Sequence, residues 1–194
     1  MKPKLVIHTC CAVCMCYPKT LFENENYETI FYFYNPNIYP IKEYERRRDE
    51  FINYAKSFNI AVHIEENQKY IEKWYNDIKG FEKELEKGAR CNICFKHRIN
   101  KAFEYAKNIN AQYVTTVMTV SPHKNSKVIE EIGNSLAEKY SPIKYLHVDF
   151  KKKDGKEIEA FVKDITKEGY LKVEVNNIEE TWISRASLDI DTFY

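Results

Sequence analysis

The sequence predicts an α/β fold: a Rossmann-like, mostly parallel sheet of about five strands with helices on both faces. Two observations predict it. Short strand-type runs alternate with helical stretches from residue 5 to residue 148. Residues able to do chemistry recur where those strands end, the place where open α/β sheets bind ligands. The 194 residues suffice for one substantial domain with its own hydrophobic core.

The elements follow in order. Leu5-Val6-Ile7-His8-Thr9 is a buried-type strand that ends at the first cysteines, and the segment from there to about Phe22 is expected to be helical. Thr29 to Tyr34, rich in β-branched and aromatic residues, is a second strand. Asn35-Pro36-Asn37 breaks it with turn chemistry. Tyr44, Phe51, Ile52, Ala55 and Phe58 recur at helical spacing between Ile41 and Asn59. Ala61 to Ile64 reads as a third strand, and Tyr70 to Tyr75 and Phe81 to Lys87 as short helical pieces. Cys94 to Asn108 is a helix with Ile99, Ala102, Phe103 and Ala106 on one face. Tyr113 to Met118 is the fourth strand, Lys127 to Tyr140 a helix, and Ile143 to Val148 the fifth strand. Residues 1–155 therefore read as the α/β domain. Residues 156–194 read as a divergent extension packed on it, with a helix over Lys156 to Lys167 and an edge strand over Leu171 to Val175.

Composition narrows the function classes. The net charge is +1, so no whole-protein basic bias points to nucleic acid. Any such contact must come from a local patch, for which Arg46-Arg47-Arg48 and Lys151-Lys152-Lys153 are the candidates. No apolar run approaches a membrane span, and the first eight residues are too short and polar for a signal peptide. A cytoplasmic location with no membrane partner is the expectation. In a reducing compartment, clustered cysteines are metal ligands or redox groups rather than disulfides.

All six cysteines lie in two places: Cys10-Cys11-Ala12-Val13-Cys14-Met15-Cys16, and Cys91-Asn92-Ile93-Cys94. Soft sulfur donors in such density select zinc, Cu(I) or iron–sulfur centres. Cys11 and Cys14, three apart, are placed on one face at the start of the first helix, whose free N–H groups favour thiolate. Cys91 and Cys94 have the gap that lets one turn present two sulfurs to one centre. Tetrahedral zinc and a cubane iron–sulfur cluster both suit four such ligands. The vicinal pair Cys10-Cys11 sits more easily on a cluster, whose iron atoms are separated, than on one zinc ion. Those cysteines also occupy the position where an ATP-pyrophosphatase would carry its phosphate loop, and no G-x-x-x-x-G-K-[ST] element occurs. Three further candidates sit at strand ends. Thr119 to Asn125 reads equally as an anion site and as ordinary helix capping. Asp149 suits a metal ligand or proton carrier as well as a turn residue. His8 reads as a packed strand residue.

Five blocks, in order, resemble a known family. They are His8-Thr9-Cys10-Cys11-Ala12-Val13-Cys14; Phe33 to Ile38 with Glu43-Tyr44 and Arg47; Arg90 to Phe95 with Arg98; Thr115-Thr116 through Ser121 to Asn125; and Asp149 to Lys152. Together they resemble the cobalamin-independent epoxyqueuosine reductases of the QueH type over roughly residues 4–155. The resemblance implies an oxidoreductase of queuosine biosynthesis and tRNA processing, which removes the epoxide oxygen of epoxyqueuosine at the tRNA wobble position. It implies a [4Fe–4S] cluster held by Cys10, Cys11, Cys91 and Cys94, and an additional mononuclear iron with Cys14 and Asp149 as its candidate ligands and catalytic residues. The partners it implies are a tRNA anticodon stem-loop carrying epoxyqueuosine and an electron donor that the sequence does not identify. Tyr34, Tyr39, Tyr44 and Arg46 to Arg48 are candidates for contacts to splayed anticodon bases. Two rivals are a non-catalytic, zinc-stabilised RNA-binding protein and a related cluster enzyme acting on another modified base. The family closes with a Cys-Gly-Cys pair, whereas no cysteine follows Cys94 here.

Overall fold

A computed structural model of the chain describes residues 2–66 and 70–150 in full, the backbone of 68–69, and the backbone of five short strands between 152 and 184. Its centre is a five-stranded sheet of β1 (Lys4–Thr9), β2 (Glu28–Phe33), β3 (Val62–Ile64), β4 (Tyr113–Thr116) and β5 (Lys144–Tyr145). The strand order is β3-β2-β1-β4-β5, and every neighbouring pair is parallel. The expected fold class is therefore the observed one.

Sequence alternation explains the layers. Successive strand residues face opposite sides. Leu5, Ile7, Phe31 and Phe33 pack on one side with Phe22 of α1 (Cys16–Asn24) and with Phe51, Tyr54 and Ala55 of α2 (Ile41–Ser57). Val6, Tyr32, Tyr34 and Val114 face the other side, against α4 (Ala89–Asn108) and α5 (Ser126–Lys139). A side chain on Gly133 of α5 would collide with the Tyr145 ring, so glycine permits the close approach of α5 to β5. α3 (Gln68–Asp77) precedes α4 and meets it through Trp74 and Cys94.

β1 is central, with β2 on one side and β4 on the other, so the chain reverses its direction of travel there. The crevice beyond the carboxyl ends of β1 and β4 is the switch point of this sheet, where such folds place ligands. Cys10 follows directly from β1, and a single 3₁₀ turn, Val117–Val120, follows β4.

Several expectations are corrected. α1 begins only at Cys16, so Cys10, Cys11 and Cys14 occupy a loop and a 3₁₀ turn (Val13–Met15) ahead of the helix. The thiolate-favouring helix N-terminus therefore lies beyond these three. No helix forms over residues 81–87, whose turns are followed by α4 from Ala89, with Gly88 as its extended N-cap. Cys91 and Cys94 consequently lie in the first turns of that helix. The fifth strand keeps only two residues of the six expected, because threonine hydroxyls take over its bonding: Thr115 Oγ1 donates to Leu146 O at 2.7 Å and Thr119 Oγ1 to Val148 O at 2.6 Å. After the two-residue β6 (Lys152–Lys153), the helix expected over 156–167 is replaced by strands β7 (Lys156–Glu157) and β8 (Ala160–Ile165). β8 pairs antiparallel with β9 (Tyr170–Val175), whose alternating Leu171, Val173 and Val175 carry a two-residue period, and β9 is the middle strand between β8 and β10 (Glu180–Ser184) rather than the edge strand expected there. The expected packing of residues 156–194 on the domain, and the Lys151–Lys153 patch, concern residues outside those described in full.

Candidate metal centre and cavity

Three thiols converge where β1 ends. The sulfurs of Cys10, Cys11 and Cys14, all buried, lie within 4.8 Å of one another. Cys11 Sγ is 2.6 Å from Cys14 Sγ, and Cys10 Sγ is 3.7 Å from it. The loop brings them together because Cys10 and Cys11 leave the strand in sequence and the 3₁₀ turn swings Cys14 back over them, with Met15 N donating to Ala12 O at 2.9 Å. Asn35, at the end of β2, fixes the take-off point: its Nδ2 donates to Thr9 O at 2.9 Å.

Three buried cations surround this group. Arg98 is 1% exposed, and Arg47 and Lys124 are also buried. Sharing of thiol protons from Cys11 and Cys14 lowers the Cys10 pKa most, and Lys124 and Arg98 lower it further against the opposing effect of burial. Cys11 and Cys14 are pushed up, chiefly by their hydrogen bonds with Cys10. Of the three, Cys10 is thus the sulfur on which negative charge is most favoured. Burial pushes the Cys94 thiol up, while Arg98 and Lys124 pull it down. Arg98 and Lys124 therefore act on both cysteine motifs. Arg47 is held by Glu43, to which its Nε donates at 2.6 Å, and it faces the charge of Cys10 and Cys11.

The second motif opens on a cavity of about 840 Å³. Cys91, Cys94, Arg98, His123 and Lys124 line its polar side, and Trp74, Tyr75, Ile78 and Phe95 its apolar side. Cys91 is half-buried and accepts Lys87 N–H at 3.3 Å. The side chain of Asn37 lines the same cavity, with its amide nitrogen and oxygen both buried and neither hydrogen-bonded. Buried polar atoms without a partner are uncommon, which marks Asn37 as a feature of this cavity wall.

Each predicted site residue can now be placed. Cys10, Cys11 and Cys14 form one tight group; Cys91 and Cys94 lie outside that group, on α4 at the cavity, and Cys94 shares Arg98 and Lys124 with it. Asp149 is also outside the tight group. Its backbone is gripped from both sides by Thr119, whose hydroxyl donates to Val148 O at 2.6 Å and accepts from Phe150 N at 3.4 Å. The neighbouring Phe150 packs in the same core as Cys10, Cys11 and Cys14. The Thr119 to Asn125 segment divides between its two readings. Asn125 caps α5 by accepting from Lys127 N and Val128 N, while His123, Lys124 and Asn125 all line the cavity. His8 is a packed strand residue as expected. Its Nε2–H donates to Tyr34 O at 3.1 Å and its Nδ1 accepts from Thr116 Oγ1 at 2.9 Å. Burial, with help from Arg98, lowers its pKa to about 3, so it is neutral.

Two features escaped the sequence reading. The cations Arg47, Arg98 and Lys124 stand in the recognisable blocks, but nothing in those blocks marks them as buried around the thiols. The other feature is a hydrogen-bonded chain. His97 Nδ1 lies 2.9 Å from Asp77 Oδ2 and His97 Nε2 lies 2.7 Å from the Tyr34 hydroxyl. Burial lowers the His97 pKa against the raising effect of Asp77, to which Nδ1–H is given, and Nε2 is hydrogen-bonded to the Tyr34 hydroxyl. Partial burial pushes the Asp77 carboxyl up, but hydrogen bonds from Lys73 and His97 outweigh it and hold the group below the usual carboxylate range. No local pattern links Asp77 to His97; only the packing of α3 on α4 does. The Arg46–Arg48 patch is not an open basic surface. Arg46 binds Glu43 and Glu50, Arg47 binds Glu43, and Arg48 binds Asp49 and Glu66.

Comparison with known proteins gives a consistent result. The family profile described as epoxyqueuosine reductase QueH matches residues 5–169. A protein of that name from Haemophilus influenzae is 36% identical over 152 residues, covering 78% of this chain and 61% of its own. One from Streptococcus pyogenes is 33% identical over 159 residues, covering 80% and 62%. One from Thermotoga maritima is 34% identical over 149 residues, covering 76% and 75%. The chain thus spans about three fifths of the length of the first two relatives. Among solved structures, one described as a predicted subunit of tRNA methyltransferase from Methanocaldococcus jannaschii aligns with 73% of this chain at 13% identity and a TM-score of 0.47. Among the described residues no helix is long and apolar enough to cross a membrane.

Proposed function

Because this chain belongs to the epoxyqueuosine reductase QueH family, we propose that it is an iron–sulfur oxidoreductase that reduces epoxyqueuosine to queuosine at the wobble position of tRNA. One observation carries this reading: three buried thiols at the switch point of the sheet share two buried cations, Arg98 and Lys124, with a cavity large enough for a modified nucleoside. Buried sulfur donors of this density fit a soft metal centre.

The assignment follows the motifs. Cys10, Cys11, Cys91 and Cys94 would hold a [4Fe–4S] cluster, and Cys14 with Asp149 a mononuclear iron. When bound, such a centre supplies electrons singly and a Lewis acid for oxygen. The reaction requires two electrons and two protons: the epoxide's two C–O bonds break, the carbons form an alkene, and the oxygen leaves as water. The electrons originate from a donor outside this chain.

The protein's own groups do the rest. Arg47, Arg98 and Lys124 offset the negative charge that thiolate ligands bring into the interior. The hydroxyl of Thr119 holds the backbone on either side of Asp149, which fixes where that residue leaves the sheet. The amide of Asn37 reads a donor–acceptor edge of the nucleobase, and Trp74 and Phe95 supply apolar walls that exclude water. His123 and Lys124 carry the N–H groups from which the departing oxygen draws its protons. The anticodon stem-loop presents the nucleoside in single-stranded form, as sequence-specific RNA recognition commonly requires. The cytoplasm, where tRNA is modified, is the matching location.

The test is iron, zinc and acid-labile sulfide per chain on protein purified without oxygen, followed by turnover of epoxyqueuosine-containing tRNA with a chemical reductant. About four iron and four sulfide, the content of one cubane cluster, with queuosine formed, is expected; iron above four supports the mononuclear site. Zinc alone, persisting after anaerobic reconstitution with iron and sulfide, overturns the reading in favour of zinc-stabilised RNA binding. A full cluster with no effect on epoxyqueuosine favours a cluster enzyme acting on another modified base.

A further inference from the structure

A second cavity, of about 550 Å³, adjoins the first. Tyr39 and Tyr75 line both, so these two rings form the ridge between them. They are also among the most exposed large side chains described, at 72% and 52%. Beyond the ridge the wall is aromatic and aliphatic: Tyr34, Tyr44, Tyr70 and Ile71 line the second cavity only. Its floor is polar and acidic. Glu45, Glu65 and Glu66 contribute carboxylates, while the one cation lining it, Arg48, is engaged with Glu66 at 3.0 Å and Asp49 at 2.9 Å.

We propose that this tyrosine-walled cavity is a second nucleobase site, which takes the base next in the RNA chain to the nucleoside bound in the cysteine cavity. The proposal rests on the tRNA reading given above. Three features select a base over other occupants. A splayed single-stranded RNA must shed the stacking between two neighbouring bases, and flat aromatic rings replace it. Tyr39 and Tyr75 line both cavities, so a chain passing from one to the other crosses these two exposed rings. The excess of carboxylates repels phosphate and accepts ring and exocyclic N–H groups, so the slot suits the base and not the backbone. Tyr34 joins this site to the Asp77–His97 chain: it is buried with its ring stacked on Tyr32 and His97 and its hydroxyl hydrogen-bonded to His97 Nε2, so it supports the wall from behind while Tyr44 and Tyr70 face the cavity.

The experiment is a binding cycle with an anticodon stem-loop RNA carrying epoxyqueuosine, intact or abasic at one flanking nucleotide. Tyr44→Leu and Tyr70→Leu should each weaken the intact RNA on the order of tenfold or more, the scale of one stacked base. An abasic site at one flank should weaken binding to the unaltered protein by a similar factor, and the two changes together should weaken it no further. Tyr75→Ser, on the exposed ridge where folding is not at risk, should show the same non-additivity. Losses that multiply at both flanks, in all three variants, overturn this proposal and leave the tRNA reading standing. An intact RNA that does not bind the unaltered protein overturns both.

Discussion

The two cysteine motifs differ in how the fold presents them. Cys10, Cys11 and Cys14 lie in a loop at the centre of the sheet, buried and within 4.8 Å of one another, so their thiols hydrogen-bond among themselves. Cys91 and Cys94 lie on the first turns of α4, at the wall of a cavity, with Cys91 half-buried and its sulfur accepting a backbone N–H. The loop motif is assembled by the sheet; the helix motif is carried as a unit on one element. The contrast teaches that three sulfurs can be gathered by the loop leaving one central strand, while the position of the other two is set by how α4 packs on its neighbours.

The largest effect expected is at the loop. Cys11→Ser should abolish retention of iron and sulfide after anaerobic reconstitution, measured per chain. Cys91→Ser should do the same; if it keeps full iron and sulfide, Cys91 leaves the ligand set and the loop group must find its remaining ligand elsewhere. Next, Asp149→Asn should leave the cubane iron and sulfide in place but lower turnover of epoxyqueuosine-containing tRNA by roughly 10- to 100-fold, the range for altered metal-site carboxylates and their supports. Unchanged turnover would reduce Asp149 to a turn residue. Arg98→Met tests the coupling between the motifs. Removing a buried charge that offsets others costs roughly 3 kcal/mol, so the metal-free variant should unfold at lower denaturant. Alkylation of Cys10 should also require higher pH, since Arg98 helps hold its pKa down. An unchanged alkylation profile would show that Arg98 does not act on the loop.

The smallest effect is a pH dependence. His8 titrates near 6.5 when unfolded and at about 3 in the fold. Above 6.5 both states are neutral and the group contributes no slope. As pH falls below 6.5 the unfolded chain takes up a proton that the folded chain refuses until about 3, so stability is lost across that window. By pH 4.5 the loss is roughly 2–3 kcal/mol from this group. Denaturant unfolding of the metal-free protein at pH 7 and 4.5 measures it, and His8→Gln should flatten the dependence. His97, whose pKa is also lowered, acts in the same direction.

Much of the fold was legible locally. The two-residue alternation in β1 and β2 and the helical spacing of Phe51, Ala55 and Ile99 to Ala106 are properties of neighbouring residues, and they identified the α/β class and most elements. Element ends were less legible. α1 begins at Cys16 because the loop before it is shaped by packing of the cysteines, and β5 stops after two residues because Thr115 and Thr119 replace its ladder bonds with side-chain ones. Over 156–167, a helical reading lost to strand pairing with a partner farther along the chain.

By itself the sequence determined the fold class, the two cysteine motifs and the family, because each depends on residue types at short, repeated spacings. Only the tertiary structure decided that Cys14 joins Cys10 and Cys11 while Cys91 and Cys94 stand at a cavity wall. It also decided that Arg47, Arg98 and Lys124 are buried around the thiols, that Arg46 and Arg48 are spent on carboxylates, and that Asp77, His97 and Tyr34 form one chain. These are relations between residues far apart in sequence. They depend on strand order and helix packing, which summed weak interactions set and no local spacing records.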